Sequence, residues 1–147
     1  MVRESLFNIN IGKKKNLEFL ANEKAFYPTG TSEFLIKSVC EKINKPGSIL
    51  DLGCGVGIVG ISLAKLGKAT SPLYLSDASD DAIKLTNINA NIHRISVDAR
   101  FGSLYEPWSK MRFDYIIDDV SGISEEIAKI SPWFKNVPCA SGYDGSD

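Results

Sequence analysis

Ile49-Leu50-Asp51-Leu52-Gly53-Cys54-Gly55-Val56-Gly57-Ile58-Val59-Gly60 passes from a short apolar run, through three alternating glycines, into a second and longer apolar stretch. The first run has the length of a buried strand, and the glycines suit a tight loop. The stretch from about Ile58 to Leu66 suits a helix that is apolar nearly all round and so buried against a sheet. Gly67 follows as a left-handed C-terminal residue. Strand, glycine loop and helix together open a parallel βαβ unit.

Working downstream, Leu73-Tyr74-Leu75-Ser76-Asp77 supplies a second strand. Ser79 with Asp80 and Asp81 places a cap and two acids at the positive end of a further helix, whose Ala82, Leu85, Ile88 and Ile92 trace one face, with Asn87 and Asn91 toward another. Ile95, Val97, Ala99 and Phe101 alternate with Ser96, Asp98 and Arg100, the half-exposed pattern of a strand near a sheet edge. Phe113 to Ile117 forms a fourth strand that runs into Asp118-Asp119. Right-handed crossovers then predict an α/β fold, a Rossmann-like doubly wound parallel sheet in the order third, second, first, fourth, with helices on both faces.

Upstream, Phe7, Ile9 and Ile11 alternate, meet Gly12-Lys13, and resume at Leu17, Phe19 and Ala21, which predicts an N-terminal β-hairpin. Lys13-Lys14-Lys15 reads as a solvated turn. After Tyr27-Pro28-Thr29-Gly30, Thr31 or Ser32 is placed to cap a helix carrying Leu35, Val39 and Ile43, which Lys45-Pro46-Gly47 ends.

The 147 residues, 44% apolar, suit one domain over 1–147. Hairpin and lead-in take residues 1–30, a cofactor-binding core 31–131, and an irregular segment 132–147. The Phe113 to Ile117 strand has no later strand to pair with, so the domain is expected to be incomplete at its C-terminus and its open edge to be available for self-association. With 17 basic against 18 acidic residues, no global positive field draws the chain onto nucleic acid or an anionic membrane. No secretory h-region and no membrane span is evident, so a cytoplasmic location is expected. Cys40, Cys54 and Cys139 are odd in number and form no Cys-x-x-Cys pair, which reads as reduced thiols.

Gly55-Val56-Gly57-Ile58-Val59-Gly60 fits the dinucleotide fingerprint, and Asp77 stands near the distance of a ribose-gripping acid, so a nicotinamide-binding oxidoreductase domain enters as one reading. Asp51 argues against a pyrophosphate beside the loop, because a carboxylate there repels an anion and favours a cation. S-adenosylmethionine, with its sulfonium and ammonium, suits Asp51, Gly53, Gly55 and Gly57 better, and glycines let backbone approach the ligand closely.

Asp51-Leu52-Gly53-Cys54-Gly55-Val56-Gly57 resembles the first motif of class I S-adenosylmethionine-dependent methyltransferases. The resemblance implies that Asp77 holds the two ribose hydroxyls and that Ala78 and Ser79 flank the adenine. Phe26 to Ser32 and Gly142-Tyr143-Asp144-Gly145 extend it to the HemK-like and small-domain methyltransferases. That extension implies Thr31 near the methionyl end and the hairpin beside the site. Two positions depart from the pattern. Ser103 stands where relatives often carry an acid for the adenine amine, and serves as a neutral partner. Asp119-Val120-Ser121-Gly122 stands where the family has Asn-Pro-Pro-Tyr, so Asp119 takes the catalytic position, orienting an amide or amine acceptor and accepting its proton. The acceptor stays open between protein side chain, RNA base and small molecule, and a binding module without turnover is the alternative. Asp118 and Asp119 offer too few oxygens for a divalent ion, so no metal is expected. His93 is read as interacting with helix-end carbonyls, and Trp108 and Trp133 as covering the sheet.

Overall fold

The computed structural model describes residues 4–12, 15–22, 25, 30–119 and 130. Phe26 to Thr29, Val120 to Gly122, Trp133, Cys139 and Gly142 to Gly145, together with the irregular segment 132–147, lie outside the described residues. The hairpin forms as read: β1 (Glu4–Asn10) pairs antiparallel with β2 (Asn16–Asn22), with Ile9 opposite Leu17 and Phe7 opposite Phe19. Gly12 turns the chain at φ 95°, a conformation open to glycine. Helix α1 (Gly30–Lys42) begins one residue before Thr31, so Thr31 and Ser32 sit inside its first turn instead of capping it. Its buried residues are Ser32 and Ile36, while Leu35 and Val39 are half-buried against the core.

Strand β3 (Ile49–Leu52), helix α2 (Ile58–Lys65), strand β4 (Leu73–Asp77), helix α3 (Asp80–His93), strand β5 (Val97–Phe101) and strand β6 (Tyr115–Asp118) follow. Gly67 takes φ 73° just beyond α2, and the Ser79 side chain caps α3 by accepting from the Ala82 N–H at 3.3 Å. All four strands are parallel, in the order β5-β4-β3-β6 read from the crossovers. Strand β6 starts two residues later than the sequence suggests, because Asp114 is bound to Ser48 through both backbone and side chain and Phe113 turns away to pack on Trp108.

Alternation along the strands divides the sheet's two faces. Ile49, Leu73, Leu75 and Ile117 join one apolar core with Ile36 of α1, the buried residues of α2 and α3, and Ile9, Leu17, Phe19 and Ala21 of the hairpin. The opposite face carries Leu50 and Leu52, covered by Trp108 with Tyr74 and Phe113 packed edge to face around it. Helices were expected on both faces. Among the described residues the three α-helices share one face, and the short β5–β6 crossover brings a single 3-10 turn, Glu106–Trp108, to the other. Arg100 stacks 4.2 Å over the Trp108 ring while its guanidinium grips Asp98 through two hydrogen bonds of 2.9 and 2.7 Å. Trp108 is thus a cover for the sheet.

Helix α3 corrects the sequence reading. Its core face is Ala82, Leu85, Thr86, Asn89 and Ala90, whereas Ile88 and Ile92 are 43% and 54% exposed. With 100° per residue, both isoleucines lie about 90° or more from the direction shared by Thr86 and Asn89. His93 is the last residue of α3, and its imidazole Nε2 lies 2.8 Å from the Glu18 carbonyl of β2 with its ring against Phe19, so it ties helix to hairpin instead of capping helix carbonyls. Among the described residues no helix is long and apolar enough to cross a membrane.

Candidate functional site

The C-terminal ends of β3, β4 and β6 converge where parallel sheets place ligands. The glycine loop leaves β3 with Gly53, Gly55 and Gly57 at φ 65°, 56° and 82°, so all three occupy the left-handed region in which a side chain is strained. The glycines differ in what surrounds them. A Cβ on Gly55 would meet nothing within 4 Å, so this face of the loop is open to a ligand. One on Gly57 would lie 2.8 Å from the Ile61 side chain and 3.2 Å from Thr86, so Gly57 lets the loop press onto α2 and α3.

Asp77 ends β4 facing the loop. Its Oδ2 accepts the Gly55 N–H at 2.8 Å and its Oδ1 accepts the Ser79 N–H at 2.9 Å. Each carboxylate oxygen accepts twice, so one acceptor position per oxygen is left beyond these bonds. Burial raises the Asp77 pKa, opposed by the same two amides. Ala78 is exposed beside it, and the Gly102 N–H donates to the Asp77 carbonyl at 3.0 Å, bringing the end of β5 and the exposed Ser103 next to the acid. The Ser103 N–H in turn donates to Glu106 at 3.3 Å.

Asp51, set by the sequence at the end of β3 before the glycines, is buried there. It is 1% exposed, and its Oδ2 accepts the Gly60 N–H in the first turn of α2 at 2.8 Å. Burial is the main cause that pushes its pKa up to about 7; the Gly60 bond opposes this, and Asp119 and Asp77 add to it. Asp51 thus holds the first turn of α2 against the end of β3. Gly60 is required by this packing, since a Cβ there would come 2.8 Å from the Asp51 carboxylate.

Asp119 follows β6 directly and is exposed, with its N–H 3.5 Å from the Leu52 carbonyl. Its pKa is raised by desolvation and then by Asp118, and its influence on Asp51 puts the two carboxylates in one electrostatic neighbourhood. The structure therefore brings together Asp51, Gly53, Gly55, Gly57, Asp77, Ala78, Ser103 and Asp119. Thr31 lies on the exposed first turn of α1, the helix that leads into β3. Among the described residues no group of three or more His, Cys, Asp or Glu could hold a metal ion. Cys54 is buried with its thiol held well above the ordinary pKa by burial, so it is no nucleophile.

Two residues of the site escaped the sequence reading. The Thr86 hydroxyl donates to the Gly55 carbonyl at 3.0 Å, and Asn89, wholly buried, donates to the Val56 carbonyl at 2.9 Å. Their only signal was polarity at positions 86 and 89 of an otherwise apolar helix face.

Residues 28–119 match the methyltransferase small domain family. The release factor glutamine methyltransferase of Aquifex aeolicus is 29% identical over 119 residues, covering 78% of this chain and 42% of its own length. The ribosomal protein L11 methyltransferase of Caldicellulosiruptor saccharolyticus is 30% identical over 114 residues, covering 76% of this chain and 36% of its own. The chain therefore spans less than half the length of either relative. Among solved structures, the Pyrococcus abyssi tRNA (uracil-54, C5)-methyltransferase in complex with S-adenosyl-L-homocysteine superposes with a TM-score of 0.63 at 25% identity, over 84% of this chain and 31% of that one. With the family match covering more than half of the residues, and the glycine loop and Asp77 inside it, the chain belongs to the methyltransferase small domain family.

Proposed function

We propose that this domain binds S-adenosylmethionine across the ends of β3 and β4 and serves methyl transfer to a nitrogen acceptor. One observation carries the reading: both oxygens of Asp77 are oriented by the loop amides of Gly55 and Ser79, and each keeps an acceptor position for one of two neighbouring ribose hydroxyls. Gly53, Gly55 and Gly57 let the loop backbone approach the methionyl part, and Asp51, once ionised above about pH 7, supplies a buried negative field that favours a cation over a pyrophosphate. Ala78 and Ser103 border the adenine side, with Thr31 toward the methionyl end. When bound, the cofactor supplies an electrophilic methyl group, so the chain's task is to align the acceptor and exclude water. Asp119, at the end of β6 within the field of Asp51, is the residue that orients the acceptor N–H and takes up its proton. The relatives are named for a release factor glutamine and for ribosomal protein L11, and the structural neighbour for C5, a carbon, of a tRNA uracil, so protein and RNA acceptors both belong in the assay and a carbon acceptor is the outcome that would remove the nitrogen assignment.

A second reading, a cofactor-binding module without turnover, is favoured by Asp119-Val120-Ser121-Gly122 in place of Asn-Pro-Pro-Tyr. Isothermal titration with S-adenosylmethionine, S-adenosylhomocysteine and NAD separates the cofactor readings, since heat with NAD alone would return the site to the dinucleotide class. Transfer of labelled methyl to protein and RNA acceptors then distinguishes the enzyme from the module.

A further inference from the structure

We propose that Asn89 is a positioning residue for the glycine loop and couples the docking of the N-terminal hairpin to cofactor affinity; the affinity part rests on the cofactor reading above. An asparagine buried in the middle of a helix is costly unless its polar atoms are paired. Asn89 is fully paired on the side of its reach that matters. Its Oδ1 accepts the Leu20 N–H at 2.8 Å, and its Nδ2 donates to the Leu20 carbonyl at 3.0 Å and to the Val56 carbonyl at 2.9 Å. The first two bonds imitate a strand neighbour for β2. The third leaves the hairpin and holds the glycine loop, so a role confined to stitching hairpin to helix does not account for it.

The loop needs such a hold. With left-handed glycines at 53, 55 and 57, its backbone has more accessible conformations than any ordinary turn, and one of them must be selected. Thr86 fixes the Gly55 carbonyl and Asn89 the Val56 carbonyl, one helical turn apart on α3. Because each peptide is planar, drawing these two carbonyls toward α3 turns the N–H groups of Val56 and Gly57 the other way. The Gly57 N–H closes the loop internally on the Cys54 carbonyl at 2.8 Å. The Asn89 amide is itself planar and rigid. A displacement of Leu20 therefore rotates the same group that holds Val56, and hairpin position is transmitted to the loop through one side chain.

The test is Asn89→Leu, which keeps the approximate volume and removes all three bonds. S-adenosylhomocysteine should bind about tenfold more weakly, and in the ligand-free chain the amides of residues 55–57 should exchange with solvent faster. Leu85→Ala, on the same face of α3, is the control: it should lower the melting temperature and leave loop exchange and affinity unchanged. Should Asn89→Leu fail to fold, Ile9→Ala loosens the hairpin from a position in β1 that makes none of the three Asn89 bonds, and the proposal requires the same faster exchange and weaker binding. Unchanged loop exchange in Asn89→Leu, or in Ile9→Ala where the first is unfolded, overturns the proposal. Loss of cofactor binding in the unmodified chain would overturn the cofactor reading instead, and the exchange measurement, made without ligand, would still decide the role of Asn89.

Discussion

Replacing Asp51 by Asn should stabilise the ligand-free protein at pH 8 while weakening its hold on the cofactor. In the folded chain this carboxyl has a pKa of about 7 in place of the ordinary 3.8, chiefly because it is buried. Below pH 3.8 it is protonated in both folded and unfolded states and its ionisation affects stability in neither. As pH rises from there the unfolded chain releases the proton first, and the fold loses stability until the folded group also ionises near pH 7. At about 1.36 kcal/mol per pKa unit, the full interval is worth on the order of 4 kcal/mol, of which less than half has developed by pH 5. The Asn side chain can still accept the Gly60 N–H through its oxygen, but its new NH2 group enters a buried site at a cost of about 1–3 kcal/mol. That cost does not vary with pH. The stability difference between variant and parent should therefore shift in the variant's favour by a few kcal/mol, on the order of 2–3, between pH 5 and pH 8.

Urea unfolding of both proteins at the two pH values reads this difference directly. Binding supplies the other half. The variant should lose more affinity for S-adenosylmethionine than for S-adenosylhomocysteine, since only the former carries the sulfonium charge that a buried carboxylate favours. A stability difference that does not change with pH would show that Asp51 titrates normally and that its burial exerts no such field. Equal losses for the two ligands would detach the field from the sulfur.

Three further outcomes follow from the same geometry. Asp77→Ala should weaken S-adenosylhomocysteine by about 1.5–3 kcal/mol in a calorimetric titration, the range for hydrogen bonds to a charged group; unchanged affinity would remove Asp77 from the site. Gly60→Ala should destabilise the fold by about 1–3 kcal/mol in chemical denaturation, because its Cβ would stand 2.8 Å from the Asp51 carboxylate, and a neutral result would mean that β3 and α2 can part without penalty. Asp119→Ala should lower methyl transfer far more than cofactor affinity, and an equal fall in both would move Asp119 into the cofactor shell.

What could be read from the sequence was local in kind. The bounds of β3 and β4, the left-handed Gly67, the Ser79 cap and the place of Asp77 each follow from a pattern of a few neighbouring residues, and the sheet order follows from crossover handedness. Helix α3 shows where that kind of reading fails. Apolar periodicity selects Ile88 and Ile92, yet the helix turns Thr86 and Asn89 inward because two loop carbonyls and a strand edge there need donors and an acceptor. Asp51 shows the same limit: its place at the end of β3 before the glycines was legible, whereas its burial and its bond to the Gly60 N–H come from packing of the strand against α2.

The bonds that shape the site join residues far apart in the chain, Leu20 to Asn89 across 69 positions, Val56 to Asn89 across 33 and Gly55 to Asp77 across 22. None of them leaves a period in the sequence. A glycine loop recognised from its own residues is only a loop able to adopt many conformations; the single conformation that presents an open Gly55 face beside Asp77 comes from the side chains packed behind it. The identity of the ligand class was therefore legible in the loop and its acid, whereas the rigidity that binding requires resides in Thr86 and Asn89, polar residues that apolar patterning of their helix does not single out.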